Sequence, residues 1–538
     1  MRLVLKLSLT LLIISILAAS CKKQTTWDVD AAIPIARSNL NISNFFGDTI
    51  FKPDASGLLH IAFSKDILNF TMDSLVKLPD TTVTIKYISI FNTFLPGNST
   101  IFSNSAGNDK EITFDVSNGV QLNKAIVRRG NLKIEYSNSY TQPLNFNYNI
   151  HSASLLGNIM HINQTIGPGS ISNPNTITKY YPLDGYTILL TGISLNKVNT
   201  LVQTYTISTD VTAVGDNLLA GQGLVVKLSF EDIVPEYVQG YFGNQNLSFG
   251  PDSSAVSFLN NFKPSNLMLT QSSINFRVIN ELGVEMNSSF YNLKSIKTVP
   301  PPNVVTLNSG SLLQSININA AGKTNNPSNP VFPWVKQINI NNTNSNLNAF
   351  LSNLPNYFGY SVKAKLNPLG NQSAGNDFAF FGHGLKVIAD VDIPLALSAN
   401  SFYLVNYANV DLTNLKELSN VNYCELILQA TNNYPFDAKL QGYMINDQNQ
   451  TIDSLFSNTN NKVNSAATDI NNNVLNFTNT KLTIPIGDDK LTHLRLCKHI
   501  KFVIQLFLPN QPTPIKLMDS SYMDLILSAN VNYRARVK

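Results

Sequence analysis

Few side chains in this sequence stand at the spacings that chemistry needs. His493, Cys497 and His499 form the one cluster of metal-ligand types in the chain. His493 and Cys497 are four residues apart on an expected helix, so they share a face and suit a soft metal. A closed site needs a third and a fourth ligand with outer support, and His499 falls past the helix end, so no metal is expected. Asp390 and Asp392 lie on one side of an expected strand over 387–393, with Asp377 in the loop before it. Calcium takes such oxygens, but the loop spacing with its glycine is absent. Carboxylates that blunt an edge strand give the same letters, and Asp488-Asp489 reads as a helix N-terminus. No G-x-S-x-G, H-E-x-x-H or phosphate loop occurs. A carboxylate pair for glycoside hydrolysis is set by separation in space, not by sequence. The expectation is a protein that is not an enzyme and holds no cofactor.

Cys21 closes a different pattern. Arg2 and Lys6 flank an apolar run over 7–19, which ends on Leu17-Ala18-Ala19-Ser20-Cys21. A basic start, a short apolar core and small residues at the cut make a secretory leader, shorter than the roughly 20 apolar residues of a membrane span. A cysteine directly after those small residues resembles the lipobox of bacterial lipoproteins. The resemblance implies that 1–20 is a signal peptide, that Cys21 is lipidated, and that 21–26 tethers a folded body to the membrane.

Cys21-Lys22-Lys23, followed at once by a Trp-bearing, Asn-rich β chain, resembles the lipoproteins of Bacteroidota. That resemblance implies outer-membrane anchoring. The surface-export signal of the group has acidic residues after the cysteine, whereas Lys22-Lys23-Gln24-Thr25 stands here, which leaves the periplasmic or surface face open. Exported proteins of the group are O-glycosylated at Asp-Ser/Thr-apolar-or-Thr triplets. The matches are Asp48-Thr49-Ile50, Asp73-Ser74-Leu75, Asp80-Thr81-Thr82 and Asp453-Ser454-Leu455, so the resemblance points to Thr49, Ser74, Thr81 and Ser454.

Composition narrows the partners. Charged residues are 13% of the 538, against about 25% in an ordinary globular protein; Asn, Ser and Thr supply the polar surface. Loss of Arg2 and Lys6 with the leader lowers the formal net charge from +4 to +2. With no Lys/Arg cluster longer than a pair, nucleic acid is not an expected partner. Besides Cys21 the chain has Cys424 and Cys497. An exported protein can oxidise such a pair to a disulfide. Two separate buried thiols fit equally, since each cysteine lies in an apolar phase.

Strand-like runs rich in β-branched and aromatic residues, separated by Asn/Gly/Pro/Ser clusters, fill the rest. Residues 81–91 and the closing 525–537 alternate clearly. One pattern recurs: Leu132, Ile134 and Tyr136 alternate, Asn138 follows, and Pro143 precedes Leu144, Phe146 and Tyr148. Ile274, Phe276, Val278 and Asn280 lead through Gly283 to Val284 and Met286; Cys424, Leu426, Leu428 and Asn432 lead through Pro435 to Phe436 and Ala438. Each reads as a hairpin whose turn carries the asparagine. The spacing suggests three similar modules in series, at 27–195, 196–325 and 334–538, with the Pro-rich stretch over 322–333 separating the last. The pattern is similar to LEA14-like (WHy) β-sandwiches.

The expected fold is all-β, tandem immunoglobulin-like or LEA14-like sandwiches, with short helices over 345–354 and 488–498. The apolar stripe of such a helix covers the open end of a sandwich more readily than it docks a partner. Trp27 and Trp334 stand near module starts, where they would serve as core anchors or as sugar platforms. The expected function is a cell-envelope lipoprotein with a binding or scaffolding role, its partners the membrane through Cys21 and other envelope proteins or glycans. A crevice between sheets could take an apolar ligand. Surface glycan capture for nutrient uptake is the alternative, and a secreted hydrolase the third.

Overall fold

Alternating apolar and polar residues make strands where that alternation predicts them, and the described chain is all-β apart from two short helices and a single 3-10 turn. The computed structural model describes residues 26–41, 51–72, 78–104, 110–256, 268–269, 271–298, 300–398, 401–413, 421–457, 461–470, 472–507 and 514–536.

The chain lays down three first strands before any module is complete: β1 (Thr26–Asn41), β2 (Leu59–Thr71) and β3 (Thr81–Ile88). It continues through β4 (Thr100–Ser103), β5 (Gln121–Asn138), β6 (Leu144–Leu155), β7 (Asn158–Ile166), β8 (Asn175–Pro182), β9 (Thr200–Thr209) and β10 (Gly223–Tyr241). A second set comprises β11 (Asn246–Ala255), β12 (Ser273–Asn280), β13 (Met286–Lys297), β14 (Asn303–Thr306), β15 (Trp334–Asn341), helix α1 (Leu347–Ser352), β16 (Tyr357–Leu366) and β17 (Gly384–Pro394). The third comprises β18 (Ser401–Asn409), β19 (Val421–Asn432), β20 (Asp437–Ile445), β21 (Thr451–Ser454), β22 (Thr478–Pro485), helix α2 (Asp488–Leu496), β23 (His499–Phe507) and β24 (Tyr522–Arg536).

The three sets share one topology. The inner module pairs β3–β10–β5–β8 and β4–β9–β6–β7, its two sheets joined at a corner by a strand over Thr187–Leu189. The middle module pairs β2–β17–β12–β15 and β11–β16–β13–β14, and the outer module β1–β24–β19–β22 and β18–β23–β20–β21. Register repeats as well: Ile88 faces Gly223, Thr71 faces Gly384 and Asn41 faces Tyr522.

The modules are therefore nested and not serial, which corrects the boundaries expected from sequence. Residues 26–41 belong with 401–536, residues 51–72 with 246–398, and the inner module runs from 81 to 241. A period-2 pattern identifies a strand but not its neighbour, so a first strand separated from its sheet by an entire module carries no mark of it. The stretch over 322–333 separates nothing: Gly322–Lys323 and Val331–Phe332 pair as a ribbon on the middle module.

The three turn asparagines do identical work, each fully buried. The Asn138 carbonyl accepts the N–H of Tyr140 at 2.8 Å, while its amide donates to the carbonyls of Gln142 (3.0 Å) and Gly167 (2.9 Å). Asn280 serves Leu282 N–H (3.0 Å), Val284 (3.2 Å) and Asn319 (2.8 Å); Asn432 serves Tyr434 N–H (2.9 Å), Phe436 (3.1 Å) and Asn464 (2.8 Å). A buried turn leaves main-chain groups that must be paired, and one amide pairs three of them.

Side chains from both sheets of each module fill a continuous core, including Leu132, Tyr136, Phe146 and Tyr148 in the inner module and Leu426, Leu428, Phe436 and Phe502 in the outer. Leu347, Phe350 and Leu351 of α1 are buried, with Phe350 stacked on Phe358 at 5.5 Å, so this helix covers the middle sandwich as its stripe predicts.

Each inner body stands by its base on the tip of the next, the tip being the end that bears the asparagine turn. The connection before β17 contributes a short strand, Asp377–Phe380, which pairs with the end of β10. There Phe378 packs with Tyr237, Ala321 and Val331 in a separate apolar cluster. The loop before β24 contributes Ile515–Lys516, which pairs with Ala396–Ser398 just beyond β17. Leu59 N–H donates to Leu517 O at 2.9 Å across the same junction.

Candidate functional site

The residues singled out from sequence scatter. Cys21, Thr49 and Ser74 lie outside the described residues. Thr81 opens β3 half-buried, its hydroxyl donating to Pro79 O at 3.2 Å. Ser454 ends β21, and the preceding Asp453 accepts from His493 Nδ1 at 3.0 Å. Trp334 is half-buried against the core, and the side chain of Trp27 lies outside the described residues.

Cys424 and Cys497 are free buried thiols, which corrects the disulfide alternative. Cys424 sits on β19 in one sheet of the outer module, while Cys497 follows α2 and donates to His499 O at 3.1 Å. Burial pushes both thiols up. His499 Nδ1 turns to Asn409 at 2.8 Å. His493, Cys497 and His499 thus face three different partners, and no group of three His, Cys, Asp or Glu among the described residues converges as a metal requires.

The carboxylates are committed to structural pairs. Asp377 is buried in a strand, not in a loop, and accepts from Phe242 N–H (2.9 Å) and Asn367 Nδ2 (2.8 Å). Asp392 meets His60 Nδ1 at 2.7 Å. Asp390 is held by Arg277 and by the Ser64 hydroxyl at 2.6 Å. Arg277, by its hydrogen bond first, keeps the Asp390 carboxyl below the usual aspartate range. A depressed folded pKa stabilises above the unfolded value near 4 and loses that contribution as pH falls through the folded one. The thermal midpoint should therefore fall between pH 7 and about pH 3, and Asp390→Asn should flatten part of that fall. Midpoints measured across that range for both proteins check it.

Three surfaces could engage a ligand. The first is the tip of the inner module, formed by loops over 89–99, 139–143, 167–174 and 210–222. Ile90 is 85% exposed and Val211 73%, and Phe91, Phe94, Ile171, Val214 and Leu219 are exposed beside them. The loops are well tied: Thr93–Leu95 pairs with Asp216–Leu218, Gly221 N–H donates to Ser89 O at 2.8 Å, and Ala220 N–H to Asn92 at 2.9 Å. Tyr140 OH reaches Asp216 O at 3.1 Å. Hydroxyls of Thr212 and Thr141 hold Asp210 and Asp216 below the ordinary range, so both are ionised. No Lys or Arg occurs in these loops. By the shared register Leu282 and Tyr434 correspond to Tyr140, and Leu517 to Leu218, and these are buried in all three modules.

The second is an outward face of the outer module. Tyr403, Val405 and Tyr407 alternate along β18 and are exposed, opposite Gln505, Val503 and Lys501 of β23. The equivalent face of the middle module carries Asn287, Ser289, Lys363 and Lys365 instead. The third is a cleft of about 720 Å³ lined by Asp80, Arg129, Asp184 and Asp232, a volume in the range of ligand pockets. Two of its carboxylates accept main-chain N–H groups, Asp80 from Asp232 and Asp184 from Gly130. The crevice between the middle sheets, in contrast, is apolar but only about 40 Å³, which is too small for an acyl chain.

Sequence reasoning missed the tip. Its loops read as ordinary connections, and their exposed apolar residues become notable only once the fold gathers them at one end of the inner module.

No family model matches the chain, and no curated protein matches it. Among solved structures, a protein described as secreted, from Parabacteroides distasonis, is similar over 94% of this chain and 99% of that one, at 9% identity and a TM-score of 0.26. The infectious bursal disease virus Gx strain structure is similar over 92% and 86%, at 9% identity and a TM-score of 0.13. Its VP2 subviral particle has the same coverage and identity at a TM-score of 0.12. Likenesses at these TM-scores are too low to carry a function to this chain.

Proposed function

We propose that this chain is a lipid-anchored protein of a bacterial cell envelope, in the outer membrane, that acts by binding or scaffolding and not by catalysis. The observation that carries the reading is polarity. The strand nearest Cys21 opens at Thr26 beside Arg536, at the base of the outer module, and the apolar tip of the inner module lies at the far end of the stack. Anchoring at Cys21 then puts the exposed surface away from the membrane. The pairing of the named histidines and carboxylates with structural partners supports a non-catalytic role. Labelling with a palmitate analogue should mark the wild-type protein in the membrane fraction, and Cys21→Ser should remove both the label and the membrane association. Wild-type protein that stays unlabelled and keeps its leader would refute the anchor.

A second reading, glycan capture, is favoured by the tyrosine face of β18, because exposed rings offer flat apolar surface with a polar edge. Retention of the full chain on an immobilised polysaccharide, lost in Tyr407→Ala, would select it.

A further inference from the structure

We propose that the tip of the inner module is a docking site for the base of a β-sandwich domain on a separate protein chain, one whose rim carries Lys or Arg. The chain contains its own precedent twice. The tips of the middle and outer modules are each covered by the base of another sandwich, and in both the connection before the last strand pairs with the end of the incoming strand or the residues just after it. The inner module has the same topology and the same asparagine turn, yet among the described residues no other module stands on its tip.

Stacked repeats end in units with a polar outer face, since an apolar end must be covered. Here the end unit presents Ile90, Phe91, Phe94, Val211 and Val214 to solvent. The segment equivalent to those that receive a neighbour, Asp216–Leu218, is bonded to Thr93–Leu95 alone among the described strands. Charge selects among occupants. Asp210 and Asp216 are the charged side chains of the four loops, which hold no Lys or Arg, so an anionic lipid surface is disfavoured and a partner with a basic rim is complementary. A second copy could offer only the base of its outer module. The docking proposal rests on the anchored reading in this one respect, because acylation at Cys21 places that base against the membrane.

The test uses the full acylated chain with p-benzoylphenylalanine in place of Phe91, irradiated in native membranes, and in place of Tyr407 as a control. Mapping of the adduct should give a strand end or loop of a β-sandwich domain in another protein, next to Lys or Arg. Val214→Asp should reduce the adduct roughly tenfold or more without moving the thermal midpoint, since Val214 is 66% exposed. Adducts to this chain itself, to phospholipid or to a domain of another fold would overturn the proposal. So would the absence of an adduct, or one that Val214→Asp leaves intact. The intact mass of the same preparation reports acylation separately, so a failed anchor and a failed docking site give different results.

Discussion

Asn432→Ala should destabilise the outer module by about 3–5 kcal/mol, several times the effect of an exposed asparagine such as Asn217. The substitution removes three hydrogen bonds and strands the Tyr434 N–H and the carbonyls of Phe436 and Asn464. The amide is fully buried, so water does not replace it, and each orphaned main-chain group costs about 1–3 kcal/mol. Asn432→Asp should be at least as damaging near neutral pH, because a carboxylate would face two carbonyl oxygens that now accept from an N–H. Asn138→Ala and Asn280→Ala should produce losses of similar size, each in its own module. Urea unfolding followed by hydrogen exchange reads both the amount and the place. An Asn432→Ala midpoint within about 0.5 kcal/mol of wild type would remove the asparagine from its central position in the fold.

Phe378→Ala should loosen the junction of the inner and middle modules. The ring is 9% exposed and packs with Tyr237, Ala321 and Val331, apart from the main core. Truncation leaves a cavity that the surrounding strands fill only in part, at a cost of about 3–5 kcal/mol. Three modules need not unfold as one transition, so a local readout is required. Hydrogen exchange should rise at Asp377–Phe380 and at the end of β10, while β18–β24 keep their protection. Equal loosening of all three modules would show that they are not separate cooperative units.

Much of the fold is legible in the residues because its causes are local. Leu132, Ile134 and Tyr136 alternate, so a strand forms, and Asn138 before Pro143 makes a turn. The same letters at Asn280 and Asn432 predict the same hairpin, and the structure adds that all three amides bond alike. Leu347, Phe350 and Leu351 predict a covered helical face for the same reason. Other features have no local cause. Nothing in residues 26–41 indicates that Asp30 accepts from Asn532, 502 residues away. The separation of Cys424 from Cys497 and the pairing of Arg277 with Asp390 are likewise products of which strands came together.

The amino-acid sequence by itself determined the all-β character, the three asparagine turns and the positions of the helices. These follow from side-chain period and turn chemistry within about twenty residues. Only the tertiary structure decided that the modules nest, that two of the bases each stand on a neighbouring tip, and that among the described residues no module covers the apolar tip of the inner one. Strand neighbours are chosen through main-chain N–H and C=O groups, which nearly every residue offers alike, so the choice leaves no signature in the letters.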